Sequence, residues 1–191
     1  MKRIVFPLLI GLALLMILSI FLPYASATEE NAENLEKYSD YYAIEEINMT
    51  GEDLINISML EYAIVYSNMS EDLFGDSKIG IIYVALVVLI VAFSLFVLIF
   101  AILKKPLAII VFDVIGFMVL CVQNWDYSDR GIVPSSSYDW GIAYYLFAFC
   151  TIAVFLISIT AMILQRIPPR SPRDFDSALD FLFDVEEENY S

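Results

Sequence analysis

Two hydrophobic runs, 79–103 and 107–122, are separated only by Lys104, Lys105 and Pro106, and this arrangement limits the fold more than any other feature of the chain. The first run contains no charged residue and is longer than the roughly 20 apolar residues a helix needs to cross about 30 Å of hydrocarbon. The second is shorter and carries a single charge, Asp113. A lysine pair at so tight a bend marks the cytoplasmic side by the positive-inside rule. The two runs therefore read as a membrane hairpin, and every other segment takes its side from the bend.

The remaining hydrophobic segments extend this hairpin to four spans. Residues 1–27 open with Lys2 and Arg3, continue through an apolar stretch and end in Ala25, Ser26 and Ala27. That pattern fits either a cleaved signal peptide or a retained first transmembrane helix. A last apolar helix is expected over 140–164, capped by Ser136 or Ser137. With the positive start inside, 28–78 and the loop 123–139 lie outside, while the turn 104–106 and the tail 165–191, with Arg166, Arg170 and Arg173, lie inside. The fold class is an all-α integral membrane protein, a small four-helix transmembrane bundle (three helices after cleavage) with an acidic external segment. The expected location is the cell membrane, with the C-terminus cytoplasmic and the N-terminus cytoplasmic if uncleaved.

Composition agrees and excludes several functions. Hydrophobic residues make up 60% of the chain and mean hydropathy is +0.73, as in a membrane protein. The formal charge of -14, from 24 acidic against 10 basic residues, disfavours nucleic acid as a partner. The absence of histidine removes imidazole bases and His-ligated metal sites. Cys121 and Cys150 fit no CxxC spacing; on adjacent helices their expected depths differ by roughly 15 Å, which forbids a disulfide. No phosphate-binding glycine loop, dinucleotide fingerprint, HExxH or GxSxG occurs. No enzyme, catalytic residue, cofactor or metal is expected.

The segment 28–78 carries 13 acidic residues against Lys37 and Lys78. Its first half reads as extended or disordered. From Thr50 the pattern becomes helical: Thr50 with Asp53 resembles a capping pair, and Leu54, Ile57, Ile64 and Val65 fall near helical spacing, so an amphipathic helix is expected over about 51–66. Ser70 is placed as the cap of a second short turn before Gly75 breaks the chain. Asn48, Asn56 and Asn68 begin glycan acceptor triplets on the external side. In the second outer loop, Trp125, Tyr127, Tyr138 and Trp140 bracket two helix ends and read as interfacial anchors at headgroup level. In the tail, Phe175, Leu179, Leu182 and Phe183 form an apolar stripe opposite acidic residues, suited to a protein partner.

Asp113 is the one residue placed for intramembrane chemistry. Mid-bilayer is costly for an ionised carboxylate, and no Lys, Arg or His lies inside any span to neutralise it. The neutral acid can donate and accept hydrogen bonds, and Ser94, Thr151 and Ser158 are candidate partners by depth, with Gly116 allowing close helix approach. Two readings follow, a proton- or cation-binding carboxylate in a transport path and a polar clasp between helices. The sparse polar lining favours the clasp.

The layout of a long outer loop, tight inner turn, short outer loop and internal tail is similar to that of claudins and tetraspanins. The similarity is confined to topology, since 28–78 contains no Trp or Cys and 123–139 no Cys. The expected role is that of a non-enzymatic accessory or scaffold subunit in the lipid bilayer, joined to a protein partner or to its own copies through the external segment and the tail. The alternative is a small transporter or channel component using Asp113.

Overall fold

A computed structural model of the chain describes residues 2–166. The apolar stripe of the tail at Phe175, Leu179, Leu182 and Phe183 lies outside the described residues. Four helices are long and apolar enough to cross a membrane: α1 (Lys2–Leu18) with the 3-10 turn Ser19–Phe21, α4 (Ser77–Ile102), α5 (Pro106–Asp129) and α6 (Ile142–Arg166). α1 packs on α4 and α6, and α5 packs on the same two, so the four close into a ring.

The buried positions inside this ring follow one spacing. α5 buries Pro106, Ile109, Asp113, Gly116, Leu120, Gln123 and Tyr127, alternating steps of three and four. α4 does the same with Tyr83, Val87, Ile90, Ser94, Val97 and Ala101. Alternating three–four steps give the 3.5-residue period that sets helices at the shallow, left-handed crossing angle of most bundles. The opposite faces, including Val88, Phe96, Met118 and Phe149, are exposed and equally apolar, which is compatible with contact to lipid.

The bend between α4 and α5 is a Schellman motif. Lys104 takes a left-handed conformation (φ 56°); its N–H donates to the Ala101 carbonyl, and the Lys105 N–H donates to that of Phe100. Both bonds satisfy carbonyls that a helix end would leave open. Pro106 then starts α5, where its missing N–H costs nothing. The Gln165 side chain donates to the Lys104 carbonyl at 3.1 Å, tying the end of α6 to the bend.

The segments that join the long helices are more ordered than the sequence implies, and the fold is not wholly helical. β1 (Pro23–Ala27) is the central strand of an antiparallel sheet, flanked by β4 (Asn56–Ser58) and β5 (Tyr138–Trp140). The pairings Ala25 with Ile57 and Ala25 with Trp140 fix the register on either side. The stretch expected to be extended or disordered contains α2 (Glu29–Glu36) and a small hairpin of β2 (Tyr42–Ile44) and β3 (Met49–Thr50).

α3 spans Met59–Phe74 rather than about 51–66. Thr50 and Asp53 do bond reciprocally, but they close the turn before β4. The capping box of the helix is formed by Ser58 and Glu61, each side chain accepting from the other's backbone N–H at 3.2 and 2.7 Å. Ser70, placed as a second cap, is buried within α3, and Gly75 ends the helix in a left-handed conformation (φ 71°). α5 runs past 122 to Asp129, carrying Trp125 and Tyr127 on the helix itself. Ser136 and Ser137 do not cap α6: their carbonyls accept from the Thr28 hydroxyl and from the Thr28 N–H, respectively, and β5 with Gly141 precedes the helix.

Candidate functional site

At the end of the bundle away from the lysine bend, four elements deliver five tyrosines to one cluster: Tyr24 from β1, Tyr62 and Tyr66 from α3, Tyr83 from α4 and Tyr127 from α5. All five are at most 5% exposed. Tyr66 stacks on Tyr83 with centroids 4.2 Å apart, Tyr83 on Tyr127 at 5.3 Å, and Tyr62 on Tyr66 at 5.9 Å. Tyr24 meets Tyr127 and Trp140 edge-on, and Trp140 stacks on Tyr144 of α6 at 4.4 Å. Ring pairs of this kind add about 0.5–1.5 kcal/mol each beyond their buried area.

Three of the phenols are held by side chains of α5. Tyr83 donates to Asp126, which also pairs with Arg130 at 3.0 Å, and Tyr24 donates to Asn124. The Gln123 amide donates to the Tyr127 hydroxyl at 3.2 Å. Burial pushes the phenols of Tyr24, Tyr62 and Tyr66 far above the usual tyrosine range, reinforced for Tyr24 by neighbouring Tyr144 and for Tyr66 by Tyr62. Burial also raises Tyr138. These phenols are neutral hydrogen-bonding groups at physiological pH.

This cluster separates the aromatic residues expected as interfacial anchors. Trp125 is 67% exposed, whereas Tyr127 is completely buried. Tyr138 and Trp140 lie half-buried in β5, with the Tyr138 hydroxyl donating to the Leu54 carbonyl at 2.9 Å. The acceptor asparagines are all exposed. Asn48 occupies a left-handed turn (φ 55°). Asn56 sits on β4 and accepts from the Ser26 hydroxyl, and Asn68 on α3 donates to the Ile64 carbonyl.

The second candidate site is at Asp113. Counted at about 1.5 Å per residue from the helix ends nearest the lysine bend, Ser94, Asp113 and Ser158 lie about 12, 10 and 12 Å deep, with Thr151 further out at about 22 Å. All four are buried. Neither carboxyl oxygen of Asp113 has a hydrogen-bond partner among the described residues, and neither has the Ser158 hydroxyl. Ser94 donates to the Ile90 carbonyl at 2.9 Å and Thr151 to that of Phe147 at 3.0 Å, so both hydroxyls are directed to their own helices. Asp113 and Thr151 share a groove of about 260 Å³ between α5 and α6, walled by Phe117, Ile152, Phe155 and Leu156. Among the described residues no group of His, Cys, Asp or Glu is arranged to hold a metal. Cys121 is exposed, Cys150 is buried and both are free.

The chain matches no protein-family model, no curated protein and no solved structure.

Proposed function

We propose that this protein is a non-enzymatic accessory or scaffold subunit of a membrane assembly, acting through its external segment and its cytoplasmic tail. The observation that carries the proposal is the exposed surface of the segment 36–46, between α2 and β3. Tyr38, Tyr41 and Tyr42 are 59–70% exposed among Glu36, Asp40, Glu45 and Glu46, none of which is needed to close the chain's own bundle. Exposed tyrosines of this kind recur at protein interfaces, and the surrounding carboxylates favour a partner with basic groups. In this reading the four long helices span the cell membrane, the external segment faces outward and the tail faces the cytoplasm.

Residues 1–27 belong to the mature protein in this reading. The Ala25–Ser26–Ala27 triplet that a signal peptidase would recognise lies in the central strand of the sheet, and α1 closes the ring of helices. Both arrangements support retention.

The test is gentle extraction of the tagged protein from its native membrane with mass spectrometry of what stays bound, in parallel for the intact chain, a chain lacking 171–191 and a Tyr38→Ser/Tyr41→Ser/Tyr42→Ser variant. A partner retained by the intact chain and lost from one of the altered chains is the expected result; recovery of the chain alone overturns the proposal. The second reading, a transporter or channel component, is favoured by the unpartnered carboxyl of Asp113 and is tested by proton and cation flux into vesicles containing the intact chain or Asp113→Asn.

A further inference from the structure

We infer that the groove between α5 and α6 at Asp113 is an intramembrane docking site for a transmembrane helix of another protein that carries a lysine or arginine at matching depth. Asp113 is 1% exposed with both oxygens unpartnered, and the one other unpartnered hydroxyl near its depth among the described residues, that of Ser158, makes no bond to it. The neighbouring hydroxyls of Ser94 and Thr151 donate to their own helices, and the basic residues of the spans, Lys2, Arg3, Lys78 and Arg166, all lie at helix ends, away from Asp113. Intramembrane acids are rare and are generally paired with an opposite charge or with polar groups. The described bundle holds no complementary charge at this depth, and a basic side chain from another helix would supply it.

The groove is built to admit it. Its floor holds Asp113 and Thr151, and its rim is formed by Ile152 and Leu156, which are 58% and 57% exposed. A volume of about 260 Å³ lies below the roughly 300–1,000 Å³ of pockets that enclose drug-sized ligands and suits a single long side chain. The apolar walls would cover the methylene stem of a lysine or arginine while its charged end meets the carboxyl.

Other occupants fit less well. A phospholipid headgroup stays at the level of Lys104 and Lys105, about 10 Å from Asp113. Acyl chains fill a groove but bring no hydrogen-bond donor. A second copy of this chain brings another carboxyl, which can share a proton with the first but cannot neutralise it, and its basic residues lie at helix ends. The inference deepens the accessory-subunit reading by adding a contact surface within the bilayer.

The experiment uses the full chain in phosphatidylcholine vesicles with synthetic leucine-rich spanning helices as probes: one with a central lysine, one without lysine and one with the lysine moved two turns toward an end. Association is read by energy transfer between a dye on a C-terminal tag and a dye on the probe. The central-lysine probe should associate roughly five- to thirtyfold more tightly than the others, the range expected for polar contacts between membrane helices. That preference should vanish in Asp113→Leu. It should also vanish in Ile152→Trp, which fills the groove from its exposed rim, leaves Asp113 in place and keeps the test independent of any loss of folding in Asp113→Leu.

Equal association of all three probes, or a preference that survives in both variants, overturns the inference. So does self-association of the chain that Asp113→Leu abolishes, which would assign the groove to a second copy, or Asp113-dependent flux by the chain alone, which would assign it to a transport path. The probes need no native partner, so a chain recovered alone from its membrane would remove the accessory-subunit reading without altering this result.

Discussion

Gly80 shows how much of the outer architecture rests on one missing side chain. A Cβ at this position would stand 2.2 Å from the Tyr66 carbonyl oxygen and 2.8 Å from the Ser70 hydroxyl, so α3 can lie against α4 only because α4 offers bare backbone there. The obstructing atom belongs to the main chain and cannot swing aside. Gly80→Ala should therefore separate the two helices, at a cost of about 1–3 kcal/mol, read as a lower unfolding midpoint in detergent and faster proteolysis within 59–74. Gly11→Ala in α1 is the control: nothing lies within 4 Å of its Cβ, and better helix propensity should leave stability unchanged or slightly higher. The buried tyrosines set an alkaline limit at the same scale. Tyr24, Tyr62 and Tyr66 have folded pKa values above their unfolded ones, so the stability they contribute is complete below pH about 10 and is lost as the pH climbs toward the folded values. Tyrosinate absorbance should show late-titrating phenols that ionise together with loss of the circular-dichroism signal. A single transition of all phenols near pH 10 with the fold intact would contradict the burial described.

The four long helices were legible in the sequence because uninterrupted apolar length is sufficient to identify them. Which face of each turns inward was not. In a soluble helix the polar stripe reveals the buried side, but here lipid and core demand the same residues, and Leu89 facing outward cannot be told from Ile90 facing inward by hydropathy alone. The signal that remains is small and polar residues: Ser94, Asp113, Gly116, Cys150, Thr151, Ser158 and Ala161 all lie on interior faces. At the candidate site the sequence singled out Asp113, but not that α5 runs on to Asp129, leaving it nearer one helix end, or that Ser94 and Thr151 spend their hydroxyl protons on their own helices. α3 lies about two turns further along than expected because two capping patterns compete, Thr50 with Asp53 and Ser58 with Glu61, and strand pairing of Asn56–Ser58 with a segment far away in sequence decides between them. The tyrosine cluster was missed for the same reason, since its members are spread from Tyr24 to Tyr127 and share no local spacing.

At the scale of the whole molecule, β1 joins parts of the chain that are far apart. It follows α1 directly, pairs with β4 on one edge and β5 on the other, and is pressed onto the start of α6 where a Cβ on Gly141 would stand 2.3 Å from the Pro23 carbonyl oxygen. Removal of residues 1–27 would take away the middle of the sheet, one wall of the helix ring and Tyr24 from the aromatic cluster together. The intact mass of protein purified from its native membrane should accordingly include these residues; a mass that begins at Thr28 would refute retention and require a different packing of α4 and α6. The same strand imposes an order on biogenesis. β1 leaves the ribosome early, yet its second partner, Tyr138–Trp140, is synthesised only after α5, and closing a loop of that length is a slow, non-local step. Until then the strand has an open edge of the kind that invites wrong pairing, and the nascent outer segment spends that interval with its acidic residues as its protection against association.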